Sequence, residues 1–157
     1  MNDQTRKVIL WALGAQAAVV GFWAALLPGA FYAGFPGLGR NWVRPEGPYS
    51  EHLVRDVGTL SAALAVVTAA TALTSAPRAM VRAVAAGWLV YAVPHLAYHA
   101  AHRRNLPVVD QWISLVLLAL QVLLPILLLL PMSQRVADPS PAADDRAADW
   151  LKNGGSW

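Results

Sequence analysis

Four apolar runs, each about as long as a bilayer crossing, constrain this chain more than any other feature of its sequence. They extend from about Lys7 to Leu27, His52 to Thr74, Met80 to Ala101 and Val109 to Leu130. A helix needs about 20 such residues to cross the ~30 Å hydrocarbon layer. The chain has 157 residues, of which 57 % are hydrophobic and 13 % charged, and its mean hydropathy is +0.43. A water-soluble domain of this size would be left with large exposed apolar patches, and lipid removes that difficulty. The expectation is therefore an all-α, four-helix transmembrane bundle over residues 1–131, multi-pass in the cell membrane. The first run exceeds the ~7–15-residue apolar stretch of a cleaved signal peptide, so it reads as a signal anchor.

Two segments fall outside the runs. Residues 28–50 hold four prolines, five glycines and the aromatics Phe31, Tyr32, Phe35, Trp42 and Tyr49. Aromatic rings settle at headgroup level, so this segment reads as an interfacial loop between the first two helices. Residues 132–157 are polar and rich in Ala, Asp and Pro, as expected of a flexible tail. Within the tail Ser140-Pro141 is a good N-cap and N1 pair, with Asp144 and Asp145 following. That pattern predicts a short amphipathic helix running to Lys152, with Trp150 and Leu151 at the membrane surface.

The net charge is +3 and the isoelectric point near 9.7, because Lys and Arg flank the apolar runs, where the bilayer surface favours them. No basic run interleaved with exposed aromatics points to nucleic acid. There is no cysteine, which removes disulfides, thiolate metal sites and Cys nucleophiles. Four crossings put both termini on one side. Arg6, Lys7, Arg78, Arg82, Arg135, Arg146 and Lys152 lie on that side, against Arg40, Arg44, Arg55, Arg103 and Arg104 opposite. The small bias predicts cytoplasmic termini.

Small residues recur at fourfold spacing on three helices: Gly14/Ala18 and Ala17/Gly21, then Ser61/Ala65/Ala69, then Ala79/Ala83/Gly87. Such stripes allow close approach of helix backbones in lipid. The fourth helix is Leu- and Val-rich from Leu115 to Leu130. It is expected to present a broad face to the lipid bilayer or to a partner, making a homo-oligomer or a larger membrane complex, with Pro125 as a kink. Gln16 and Gln121 stand alone in apolar surroundings and are expected to make interhelical hydrogen bonds.

All four histidines fall in two places. His52 opens the second helix within Glu51-His-Leu-Val-Arg-Asp56, and His95, His99 and His102 end the third at i, i+4 and i+7 on one face. Asp110, Gln111 and Ser114 begin the fourth helix. Antiparallel pairing through turns near Ala76-Pro77 and Asn105-Leu106 puts His52, Asp56, His95, His99 and Asp110 at one depth. His52, Asp56, His95, His99, His102 and Asp110 are thus candidate ligands of a divalent transition metal, or of haem. Neutral imidazoles at i and i+4 can chelate one ion, and a carboxylate can complete or orient the set. The same residues equally suit interfacial anchors and ion pairs, Arg55 with Asp56 among them, because all lie within about two turns of a helix end.

The stretch Gly47-Pro-Tyr-Ser-Glu-His-Leu-Val-Arg-Asp-Val-Gly58, with His95-Leu-Ala-Tyr-His99, resembles small four-span bacterial integral membrane proteins grouped loosely with the DoxX-like proteins. The resemblance covers residues 40–115. It implies the four-span fold and no particular activity. The His-x-x-x-His spacing is also similar to the boxes of membrane di-iron hydroxylases and desaturases, whose sites need more histidines than the four here. Three function classes follow: a metal or haem protein, a small membrane binding or transport module, or an accessory subunit without catalysis of its own. No Ser-His-Asp order, phosphate-binding glycine loop or zinc-protease helix motif names a reaction.

Overall fold

The computed structural model describes residues 1–131, so the expected helix after Ser140 lies outside the described residues. Four long helices account for most of the fold: α1 (Asp3–Leu26), α3 (Glu51–Leu73), α4 (Arg78–His102) and α5 (Val108–Leu129). All four are long and apolar enough to cross a membrane, and the chain forms an all-α four-helix bundle. The first helix begins a turn earlier than the apolar run does. Asn2 caps it by accepting from the Thr5 amide at 2.7 Å, which makes the charged residues Asp3, Arg6 and Lys7 its first turns.

The bundle is two tight pairs rather than four equal neighbours. Helix α1 packs along α3, and α4 along α5, while α1 meets α5 and α3 meets α4 over much smaller areas. Small residues account for the first pair. A Cβ on Gly21 would come within 2.5 Å of the Ala62 backbone nitrogen, and one on Gly58 would collide with the Ala25 backbone. The two helices touch backbone to backbone there, as small residues permit in lipid. The stripe on α4 behaves differently. A Cβ on Gly87 would meet nothing within 4 Å, so the Gly87 face of α4 is not pressed against any neighbour among the described residues.

The core between the pairs holds Leu10, Leu13, Ala85, Trp88 and Thr68, each 1 % exposed or less. Trp88 Nε1 donates to Thr68 Oγ1 at 2.9 Å, and Thr68 Oγ1 in turn donates to the Leu64 carbonyl at 2.7 Å. On α5, Pro125 is buried within the helix. Val116, Leu117, Leu120 and Leu123 of that helix are exposed, as a lipid-facing side requires.

Residues 28–50 form more structure than an open loop. Pro28 ends α1 but also starts a short helix, α2 (Pro28–Gly34), a position where a missing amide proton costs nothing. A two-residue ladder follows, β1 (Pro36–Gly37) with β2 (Arg40–Asn41), and then a single 3-10 turn at Arg44–Glu46. Gly37 has φ +99° and Gly39 +75°, a left-handed turn that favours glycine. Between them Leu38 points outward, 99 % exposed. Trp23, Phe31, Phe35 and Trp42 pack edge-to-face or tilted with centroids 4.8–6.1 Å apart, forming a small aromatic core for the segment.

Candidate functional site

The α3 N-terminus, the α4 C-terminus and the α5 N-terminus share one end of the bundle, and the candidate ligands sit there in separate groups. His52 Nε2 lies 3.4 Å from Asp56 Oδ2 on the outer surface of α3, with side chains 84 % and 52 % exposed. Arg55 turns instead to Glu51 at 2.8 Å and to the Ala25 carbonyl. The Arg55–Asp56 ion pair, the alternative reading of these residues, does not form: Arg55 pairs with Glu51 and Asp56 lies beside His52. His95 and His99 meet edge-to-face on α4 with ring centroids 4.7 Å apart, and His95 stacks on Tyr91 at 5.2 Å. His102 is exposed, with Nδ1 2.9 Å from the Tyr98 carbonyl oxygen and its ring stacked on Tyr98. Asp110 is buried at the start of α5 and forms an ion pair with Arg40 from the hairpin.

The expected convergence of His52, Asp56, His95, His99 and Asp110 is therefore corrected to one shared level with three separate contacts. Among the described residues no three His, Asp or Glu side chains come together in a group that could hold a metal ion. The physical reason is the pairing of helices. Helix α3 is committed to α1 through its small residues, so its His52–Asp56 face is not turned onto α4. The carboxylate of Asp110, close to the favourable dipole of the α5 N-terminus, is neutralised by a guanidinium rather than by an imidazole.

The feature that remains is a cavity of about 660 Å³ between the two helix pairs, midway along all four helices. Gln16 and Ala17 of α1, Ser61 and Leu64 of α3, Gly87 and Trp88 of α4, and Gln121 of α5 lie on its walls. Its rim includes Leu60 of α3 and Met80 of α4, 71 % and 38 % exposed. The cavity thus opens sideways between α3 and α4, where packing is sparse. Small side chains make the space: Ala83 and Gly87 face it from α4, and Ser61 and Ala63 from α3. The α4 stripe expected to draw helices together instead leaves a gap.

The two glutamines also depart from expectation. Gln16 and Gln121 both line the cavity, and neither hydrogen-bonds across to a helix among the described residues. Gln121 is 4 % exposed in the most apolar of the four helices. A lone amide in such a helix is the one sequence signal that could have marked this site, since polar groups at membrane depth are costly.

No family model, curated protein or solved structure matches this chain.

Proposed function

We propose that the protein is a small multi-pass membrane binding module that takes a lipophilic molecule from the bilayer through the opening between α3 and α4. The single observation that carries this reading is the ~660 Å³ cavity, walled mainly by apolar side chains of α1, α3 and α4, with Gln121 of α5, and open between α3 and α4. Its volume lies within the ~300–1,000 Å³ of pockets that hold drug-sized ligands, and such pockets form between the helices of bundles. Aliphatic walls with a few polar groups give such a pocket its affinity and its orientation of the ligand, respectively. Among the described residues no charged side chain lines it, and the lining supports binding. The candidate metal ligands support interfacial roles: a surface pair (His52 and Asp56), an edge-to-face pair (His95 and His99), an anchor (His102) and the loop tether (Asp110).

The same proposal includes topology. The Lys and Arg bias supports cytoplasmic termini, with the hairpin, His52 and Asp110 on the outer side.

The test is saturable photolabelling in lipid nanodiscs with a hexadecane carrying a diazirine. Labelled peptides should map to α3 and α4 around Ser61 and Gly87, and excess unlabelled hexadecane should suppress them. Gly87→Phe has open space for its side chain and should abolish the cavity labelling while leaving the helical circular dichroism unchanged. Labelling spread evenly over lipid-facing positions such as Val19 and Val116, unchanged by Gly87→Phe, would refute the reading.

A further inference from the structure

The polar groups of the cavity narrow the class of occupant. Gln121 is only 4 % exposed, lines the cavity and has no hydrogen-bond partner among the described residues. A carboxamide offers two donors and one acceptor oxygen. Leaving these unpaired in hydrocarbon is costly, because no bulk water reaches them. Ser61 is the second such group. Thr68, Thr71 and Thr74 on the same helix each return their hydroxyl to the carbonyl one turn back, at 2.7, 2.8 and 2.9 Å. Ser61 makes no such bond and lies on the cavity wall.

Among the described residues no Asp, Glu, Lys, Arg or His lines the cavity, so none of them would neutralise a charged headgroup at membrane depth. Trp88, which could have supplied a donor, already gives its Nε1 hydrogen to Thr68. The polar equipment left for a ligand is the Gln121 amide and the Ser61 hydroxyl on the inner wall, with the Tyr91 hydroxyl and the exposed Gln16 amide also on the lining.

Resting on the binding-module reading above, we infer that the occupant is an uncharged lipophile with a single hydroxyl or carbonyl, which Gln121 and Ser61 engage by hydrogen bonds. The amide can accept from a hydroxyl or donate to either oxygen, so both head chemistries fit. A phosphate, carboxylate or ammonium head does not.

The probe is a hexadecanol with a diazirine near its hydroxyl end, compared with the diazirine hexadecane in the same nanodiscs. Unlabelled hexadecanol should compete for cavity labelling about 3- to 10-fold better than hexadecane, the factor expected from one neutral hydrogen bond. Hexadecyl sulfate should compete no better than hexadecane. Gln121→Leu should remove the advantage of hexadecanol while leaving labelling by hexadecane intact. That variant takes a polar group out of an apolar helix, so it is expected to fold, and intact hexadecane labelling verifies this. Ser61→Ala should weaken the preference for hexadecanol by a smaller factor. Equal competition by hexadecanol and hexadecane, or an advantage that survives Gln121→Leu, would overturn the assignment of ligand class and leave the cavity reading standing. Loss of all saturable labelling with both probes would overturn the cavity reading itself.

Discussion

Trp88 and Thr68 join α4 to α3 through one buried hydrogen bond, 2.9 Å from Nε1 to Oγ1, at the wall of an otherwise open space. Interhelical hydrogen bonds in membrane bundles average about 0.6 kcal/mol and reach about 1.7 kcal/mol. Thr68→Val should cost the bond and also leave the indole N–H unpaired, so the loss should lie at the upper end, about 1–2 kcal/mol. Thr68→Val with Trp88→Phe should be less than additive. A double-mutant cycle of unfolding free energies in bicelles measures this, and strict additivity would show that the bond contributes nothing.

Glycines of similar sequence context should respond in opposite ways. Gly58→Ala puts a methyl group into the α1 backbone and should destabilise by about 1–3 kcal/mol through overpacking. Gly87→Ala meets open space and should be neutral or stabilising by up to ~1 kcal/mol, since alanine is the better helix former. Thermal unfolding followed by circular dichroism separates the two. Equal losses would contradict the paired packing of the helices.

The tether between Arg40 and Asp110 predicts an asymmetric pair of phenotypes. Arg40→Gln leaves a buried carboxylate without its cation and should cost about 1–3 kcal/mol, reduced from buried-pair values because the Arg40 side chain is 38 % exposed. Adding Asp110→Asn to Arg40→Gln should restore most of that loss, because the amide carries no charge to leave stranded. Limited proteolysis of residues 36–47 gives a second readout, with faster cleavage expected in the single variant than in the double.

Metal uptake separates the histidine readings. Purified protein titrated with Zn²⁺ at micromolar concentration should take up no stoichiometric ion, because His95 and His99 meet no third donor among the described residues. Isothermal titration or elemental analysis checks this. Stoichiometric uptake lost in both His95→Ala and His99→Ala would instead establish a same-helix chelate.

Topology has its own test. With a cysteine introduced at Ser50 or at Ser140, a membrane-impermeant thiol reagent on intact cells should label the first and not the second. The reverse pattern would place the termini outside.

The four long apolar helices were legible because a hydrophobic run of bilayer length has few alternative fates, and each helix lies within a few residues of its run. The capacity of α1 and α3 for close approach was legible too, in the small-residue stripes through Gly14, Ala17 and Gly21 and through Ser61, Ala65 and Ala69, though which helices would pair was not. The α4 stripe carries the same signature as these, yet Gly87 borders empty space. Spacing reports what close approach a face permits, and only the other helices decide whether it happens. Depth matching similarly placed His52, His95 and Asp110 at one end, since depth follows from chain position. Their separation depends on rotation of each helix about its axis, which α1 imposes on α3 and which no residue of the histidine motif encodes. Gln121 was visible as an anomaly, but its lack of a partner depends on the gap between the pairs.

The two helix pairs are fastened at both ends. Arg40 reaches Asp110 at one; at the other, Arg6 Nη1 donates to the Ala76 carbonyl at 3.3 Å and the Met1 ammonium to the Pro131 carbonyl at 3.1 Å. On the binding-module proposal, whatever occupies the space between them exchanges through the flank, with the acyl chains of the surrounding leaflets and not with water. Occupancy is then set by the mole fraction of the ligand among the lipids. Doubling the lipid in a sample at fixed ligand should empty the site as dilution would, even though the volume of buffer is unchanged.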